Sequence, residues 1–317
     1  MVTIAIIDSG IIQNYLKKDI VIRKCTKINC EYNDQIILSI EDTMETDDIH
    51  GTEVLNTIEK YSTECKKEYY IFNVFFEGKS SSYSVLEALK KCLEISQLDI
   101  IVMSLSCGND FYNEYYNILN ELYKKGVRIF SSLENESEYS IPATLPFVYG
   151  VGGKPIRKND GYIFHKNREI QFIANNEYEF IYRTANSFFC FKGNSKANAI
   201  IVGIAISYIN KYGKRDWEEY FSSNISDYHF YKMEIRQDFI SSKNYDIDLA
   251  NKAIESGLFK SYSDMCRKIC YTSDNLKYIE NFLLEQGIKI DWLSINYYEV
   301  CSFLRILKYI KNKSNKK

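Results

Sequence analysis

Five short runs of almost unbroken apolar residues, separated by segments of helical period, constrain this chain more than any other feature. The first covers residues 2–7 and stops at Asp8-Ser-Gly, and others cover 69–76, 100–105, 127–131 and 147–151. Hydrophobicity that is continuous rather than alternating belongs to strands buried on both faces, as in parallel sheets. Between the runs, residues 52–61, 84–95 and 111–125 space their apolar side chains at helical intervals. Strands alternating with helices imply βαβ units. The expected fold class is therefore α/β, a mostly parallel sheet sandwiched by helices.

Farther along, the character of the chain changes twice. The three prolines, 142, 146 and 155, fall in one stretch that reads as loop, strand and loop. Residues 161–182 alternate in short segments, the pattern of an antiparallel hairpin or meander, and 195–211 are apolar on nearly every side, as in a central buried helix. Residues 213–240 are polar and aromatic without a period, and helical patterns return at 247–256, 263–270, 273–286 and 297–310. Two domains are expected, 1–212 around the sheet and 213–317 as a mainly helical C-terminal module of unknown role. The lysine-rich tail reads as a solvated end.

Composition narrows the function. Lys and Arg number 40 against 42 Asp and Glu, a net charge of -2, which argues against a nucleic-acid or membrane-surface binder. No run approaches the length of a membrane span, and the N-terminus lacks the basic start of a secretory signal. Nine scattered cysteines without a Cys-x-x-Cys pair do not form a disulfide framework, so the expected compartment is the cytoplasm. Residues 41–48, the most acidic stretch before His50, read as a solvated loop, and neither a metal nor another cofactor is expected.

Three short motifs fall where the pattern puts strand ends or helix starts. They are Ile-Ile-Asp8-Ser-Gly10, Asp48-Ile-His50-Gly-Thr52 and Gly193-Asn-Ser195-Lys-Ala197. Open α/β sheets bind ligands outside the carboxyl ends of their strands, so a carboxylate, an imidazole and a hydroxyl could meet there. Such a set serves acyl transfer: the hydroxyl attacks, the imidazole takes its proton, and the carboxylate fixes the imidazole tautomer.

With these motifs the sequence resembles the subtilisin-like serine proteases over roughly residues 1–211. Ile-Ile-Asp8-Ser-Gly is similar to the family's Asp box, His50-Gly-Thr-Glu-Val to its His box, and Gly193-Asn-Ser195-Lys-Ala to its Ser box, with Gly203 at the later helix glycine. Val102-Met-Ser-Leu-Ser106 resembles the substrate-pairing strand, and Gly126 to Asn135 the strand that ends in Ala-Gly-Asn. Ile141-Pro-Ala143 and Val148-Tyr-Gly-Val-Gly152 are similar to the segments that follow it. The resemblance implies a serine endopeptidase with Ser195 as nucleophile, His50 as general base, Asp8 as its orienting partner and Asn135 as an oxyanion donor. It also implies that Ser104, Leu105 and Ser106, with Ser131, Ser132 and Leu133, clamp an extended peptide.

Departures from the family pattern carry their own expectations. Glu53 stands for the second His of its box, Asn194 for Thr and Ala199 for Pro around the nucleophile, and Ser106 and Glu134 for glycines of the pocket that takes the side chain before the cut. Glu134 there would favour Lys or Arg; alternatively it turns to solvent, or fills the pocket and leaves room for small residues only. Asp8 lies so near the start that the family's pro-domain is expected to be absent. The expected partner is a peptide or protein substrate, in particular a precursor peptide or its maturation complex. Two other readings stay open: a general intracellular protease, and an inactive fold that binds or scaffolds peptides.

Overall fold

The computed structural model describes residues 1–33, 35–63, 65–156, 158–185, 187–223, 245–267, 269, 271 and 273–314. They fall into two compact units, Met1–Glu177 with Ile181–His229, and Tyr178–Phe180 with Phe230–Lys317.

The described residues form thirteen strands: β1 (Val2–Asp8), β2 (Ile22–Asn33), β3 (Gln35–Glu41), β4 (Lys67–Asn73), β5 (Phe75–Phe76), β6 (Lys79–Ser80), β7 (Ile100–Met103), β8 (Arg128–Ser132), β9 (Val148–Lys154), β10 (Tyr162–Phe164), β11 (Phe172–Asn175), β12 (Glu179–Thr184) and β13 (Ser187–Phe191). Nine of them make one sheet in the order β10-β11-β9-β8-β7-β1-β4-β2-β3. Every pairing from β2 across to β11 is parallel, and only the two outermost, β2 with β3 and β10 with β11, are antiparallel. The expected mixed α/β architecture with a large, mostly parallel sheet is the one observed.

The continuous apolar runs have a direct physical cause. Along β1, Ile4 and Ile6 enter one core while Ala5 and Ile7 enter the other, so every position of the strand is buried. Full burial of each aliphatic side chain is worth about 1.5–3 kcal/mol. The first core also holds Val54, Leu55 and Ile58 of α1 (His50–Tyr61). The second holds Val85 and Leu89 of α2 (Ser82–Glu94) and Tyr115 and Leu119 of α3 (Tyr112–Lys124). Ser81 caps α2 by accepting the Ser84 N–H at 3.0 Å. Facing the first core as well is α4 (Asn194–Tyr212), whose thirteen buried residues leave little of it in water.

Four segments differ from the sequence expectation. β2 and β3 sit near the sheet's end, where one-sided burial lets Arg23, Lys24 and Lys27 interrupt the apolar pattern. Within 161–182, β10 and β11 do form an antiparallel pair, but β11 then joins β9 in parallel. After Tyr212, α5 (Trp217–Ser223) buries Trp217 and Phe221 in the first core and packs partly buried Tyr220 against it, in a helix of 7 residues that is too short to show a period. Of the helix expected over 263–270, the described residues carry Tyr262–Met265, and residues 268 and 270 lie outside them. Residues 224–240 of the aperiodic stretch, and Lys316 and Lys317 of the tail, lie outside the described residues.

The second unit is built mainly from short helices, Ile247–Glu255, Tyr262–Met265, Ser273–Glu285, Tyr297–Val300 and Phe303–Ser314. Asp246 caps the first by accepting the Leu249 N–H at 3.0 Å. Aromatic packing organises its interior, with Phe259 and Phe303 ring centres 4.6 Å apart and Phe180 and Trp292 5.2 Å apart. Among the described residues, no helix is long and apolar enough to cross a membrane.

Candidate active site

Asp8 is the last residue of β1 and is 1% exposed, an expensive place for a carboxylate unless hydrogen bonds hold it. Its Oδ1 accepts the Ser9 N–H at 2.7 Å and faces Nδ1 of His50 at 2.7 Å. Its Oδ2 is buried and has no hydrogen-bond partner among the described residues. Gly10 then turns the chain with a positive φ of 82°, a conformation glycine adopts without steric cost.

His50 opens α1, and several contacts fix its place. Its N–H donates to Asp48 Oδ1 at 2.8 Å, and the Gly51 N–H donates to Ser9 Oγ at 3.1 Å. Thr52 Oγ1 accepts the Ile12 N–H at 2.9 Å. Thr46 Oγ1 donates to the Ser9 carbonyl at 2.8 Å, tying the loop before the helix to the strand tip. Gly51 is required sterically, because a Cβ there would lie 2.1 Å from the Gly10 carbonyl oxygen. On another side the imidazole meets Phe191 edge-on, ring centres 5.7 Å apart.

Burial alone pulls the His50 imidazole down, but the Asp8 carboxylate opposes it by charge and by hydrogen bond. With smaller help from Glu53 and Asp48, the balance is pushed up to about 9. Glu53, one turn along α1, is pushed up to about 7 by burial, against the pull of His50 and with Asp48 and Asp8 adding to the rise. The side chain of His50 is 33% exposed, so it is held from within yet reachable from outside.

α4 begins where β7 and β8 end. Gly193, at φ 98°, precedes it, and the Asn194 N–H donates to Asn135 Oδ1 at 3.2 Å. The Asn194 side-chain amide donates to the carbonyls of Leu133, at 2.9 Å, and Glu134, at 3.3 Å. Four residues on, buried Asn198 donates through Nδ2 to the Met103 carbonyl at 3.1 Å and to Ser104 Oγ at 3.4 Å. Gly203 lets α4 lie close on α1, since a Cβ there would come within 2.7 Å of Tyr61 Cβ. Ser195 is half-buried in the first turn of α4, with the positive end of the helix dipole at its back.

The predicted site residues thus separate into groups. Asp8 and His50 touch directly, while Asn135, Leu133 and Glu134 are gathered by the residue that precedes Ser195. Among the described residues, no hydrogen bond joins Ser195 Oγ to His50. Ser104 is tied to α4, Leu105 is buried in the second core, and Ser106 is half-buried beyond it. Ser131 and Ser132 are inside β8, and the Leu133 N–H already donates to the Val151 carbonyl at 2.8 Å, so that amide is not available to a peptide. The Glu134 side chain is exposed, its N–H donating to Ser140 Oγ at 3.0 Å. Ser9, Phe191 and Asn198 were not anticipated as site residues; only the polar type of Asn198 within an apolar helix marks it in the sequence. Among the described residues, no group of three or more His, Cys, Asp or Glu side chains is placed to hold a metal ion.

The molecule thus combines an α/β sheet, an Asp–His pair at a central strand tip and a serine in the first turn of a buried helix. The chain is similar in fold to a solved structure described as an S41 psychrophilic protease, with a TM-score of 0.54 and 16% identity, over 70% of this chain and 82% of that one. No protein-family model matches the sequence, and no curated protein matches it.

Proposed function

We propose that the chain is a subtilisin-like serine endopeptidase. The single observation that carries the reading is the 2.7 Å contact between His50 Nδ1 and the buried Asp8 carboxylate. That contact commits Nδ1 and leaves Nε2, across the ring, to exchange protons. In the first step Ser195 Oγ attacks the scissile carbonyl carbon, and its proton passes to Nε2 of His50. Asp8 holds the ring in that tautomer and stabilises the imidazolium without taking the proton itself. The carbonyl oxygen, now negative, receives hydrogen bonds from the Ser195 N–H and from Nδ2 of Asn135. His50 then returns the proton to the leaving amine, and water repeats the sequence on the acyl-enzyme.

The substrate in this reading is an extended peptide paired along residues 104–106, and its role is the trimming of one particular precursor in the cytoplasm. Exposed Glu134 supports a Lys or Arg before the cut. The fold similarity to a protease supports the reaction class. A fluorophosphonate probe tests it: the wild-type protein should label covalently and Ser195→Ala should not. Equal labelling of the two, or none of the wild type, would overturn it.

A further inference from the structure

β2 is shared between two partners along its length. Residues 22–27 pair with β4, whereas 27–33 pair with β3. Asp8, Asn73 and Lys27 stand level across β1, β4 and β2. The part of β2 beyond Lys27 therefore continues past the carboxyl edge of the sheet, the edge that carries Asp8, and takes β3 with it. Six residues at about 3.3 Å each make a two-stranded ribbon roughly 20 Å long.

β3 stands at the end of the strand order, so among the described residues its outer edge has no strand beside it. Its aliphatic side chains are open on both faces: Ile36 is 40%, Ile37 52%, Leu38 38% and Ile40 44% exposed. Edge strands that stay single are usually blunted by a lysine, a proline or a bulge. Residues 36–40 contain no charge and no proline, and their register against β2 is unbroken.

We infer that two copies of this chain join edge to edge through β3, antiparallel about Leu38. In that register Leu38 faces its own copy, Ile36 faces Ile40 on the same side of the sheet, and Ile37 faces Ser39 on the other. Within Gln35–Glu41 no charge meets a like charge, and aliphatic side chains cover one another in cross-strand pairs. The arrangement is isologous, each strand serving as its own complement, which a foreign strand matches only by chance. The net charge of -2 per chain offers little long-range repulsion to a second copy. A seven-residue strand contributes less than the ~800 Å² per partner of a standard interface, so association in the micromolar range is expected.

Sedimentation velocity of the full chain, from about 1 to 200 μM, reads this directly. The weight-average mass should climb from 37.2 kDa toward twice that value. Leu38→Lys, which sets two ammonium groups opposite each other, should stay monomeric with an unchanged far-ultraviolet circular dichroism spectrum. Ile36→Lys, at an exposed position, serves where Leu38→Lys does not fold. A wild type that stays monomeric throughout, or a folded lysine variant that dimerises equally, overturns the inference.

Discussion

Asn194 gives its backbone N–H to Oδ1 of Asn135 at 3.2 Å, so the residue before Ser195 decides which end of the Asn135 amide is engaged. The oxygen is taken, and Nδ2 is the end that donates to the oxyanion in the proposed mechanism. If Asn135 is that donor, Asn135→Ala should lower kcat by about 10²–10³ with little change in KM, the size typical of losing one oxyanion donor. Asn135→Asp can still accept the Asn194 N–H but offers no donor and adds a charge of the wrong sign. It should lose at least as much, as steady-state kinetics on a peptide substrate will show.

The pH profile follows from the Asp8–His50 pair. With His50 pushed up to about 9, the proposed mechanism meets an imidazolium at neutral pH, which cannot accept the Ser195 proton. kcat/KM should rise with pH through a midpoint near that value. Glu53 adds to the rise as an anion, so Glu53→Gln should move the midpoint to lower pH. Stability moves the other way. His50 binds its proton more tightly folded than unfolded, where its value is about 6.5. Its contribution is complete below that pH and is lost as the pH climbs toward about 9. The gap in urea midpoint between wild type and His50→Gln should shrink across that window.

Gly51 is the tightest steric constraint at the site. A methyl group would sit 2.1 Å from the Gly10 carbonyl oxygen, against backbone that cannot swing away as a side chain can. Gly51→Ala must push the start of α1 off the tip of β1, at about 1–3 kcal/mol or more for the overpacking. Thermal unfolding should show a lower Tm, and activity should fall even where the protein remains folded, because the shift separates His50 from Asp8.

The sheet and the Asp8–His50 site were legible in the sequence for the same reason: both rest on local patterns. Central strands announce themselves by burial on two faces, and Asp8, His50 and Ser195 each stand at a strand or helix boundary. What was not legible depends on residues distant in the chain. β2 and β3 escaped because a terminal position relaxes the demand for apolar residues, and α5 because a helix of 7 residues that buries Trp217 and Phe221 is too short to show a period. Asn198 is a polar residue in an apolar helix, and its partner, the Met103 carbonyl, lies 95 residues away. The second unit gave helices, in part, but no site.

Asn198 therefore acts as a positioning residue. Its amide joins the second turn of α4 to the end of β7, where the segment proposed to pair with a peptide begins. Asn198→Ala removes that tie and leaves the Met103 carbonyl without it, at about 1–3 kcal/mol. Beyond the lost stability, KM for a peptide spanning several residues should rise more than kcat falls. The shortest substrates, which make fewer contacts with 104–106, should respond less. An equal loss on long and short substrates would mean that Asn198 only supports the fold.

Glu134 offers the sharpest test of specificity. Its backbone is held at both ends, the N–H on Ser140 Oγ and the carbonyl under the Asn194 amide, so replacing the side chain should leave Asn135 beside it in place. The side chain itself is exposed, and an exposed ion pair is worth only about 0.2–1 kcal/mol. Glu134→Gln should accordingly reduce the preference for Lys or Arg over Leu before the cut by a few-fold, not by orders of magnitude. Glu134→Lys should reverse it, since attraction becomes repulsion. Because the pair is solvated, the wild-type preference should also weaken as salt shortens the screening length from about 10 Å at 0.1 M to about 3 Å at 1 M. A preference that ignores both salt and the charge at position 134 would place the determinant in the shape of the pocket instead.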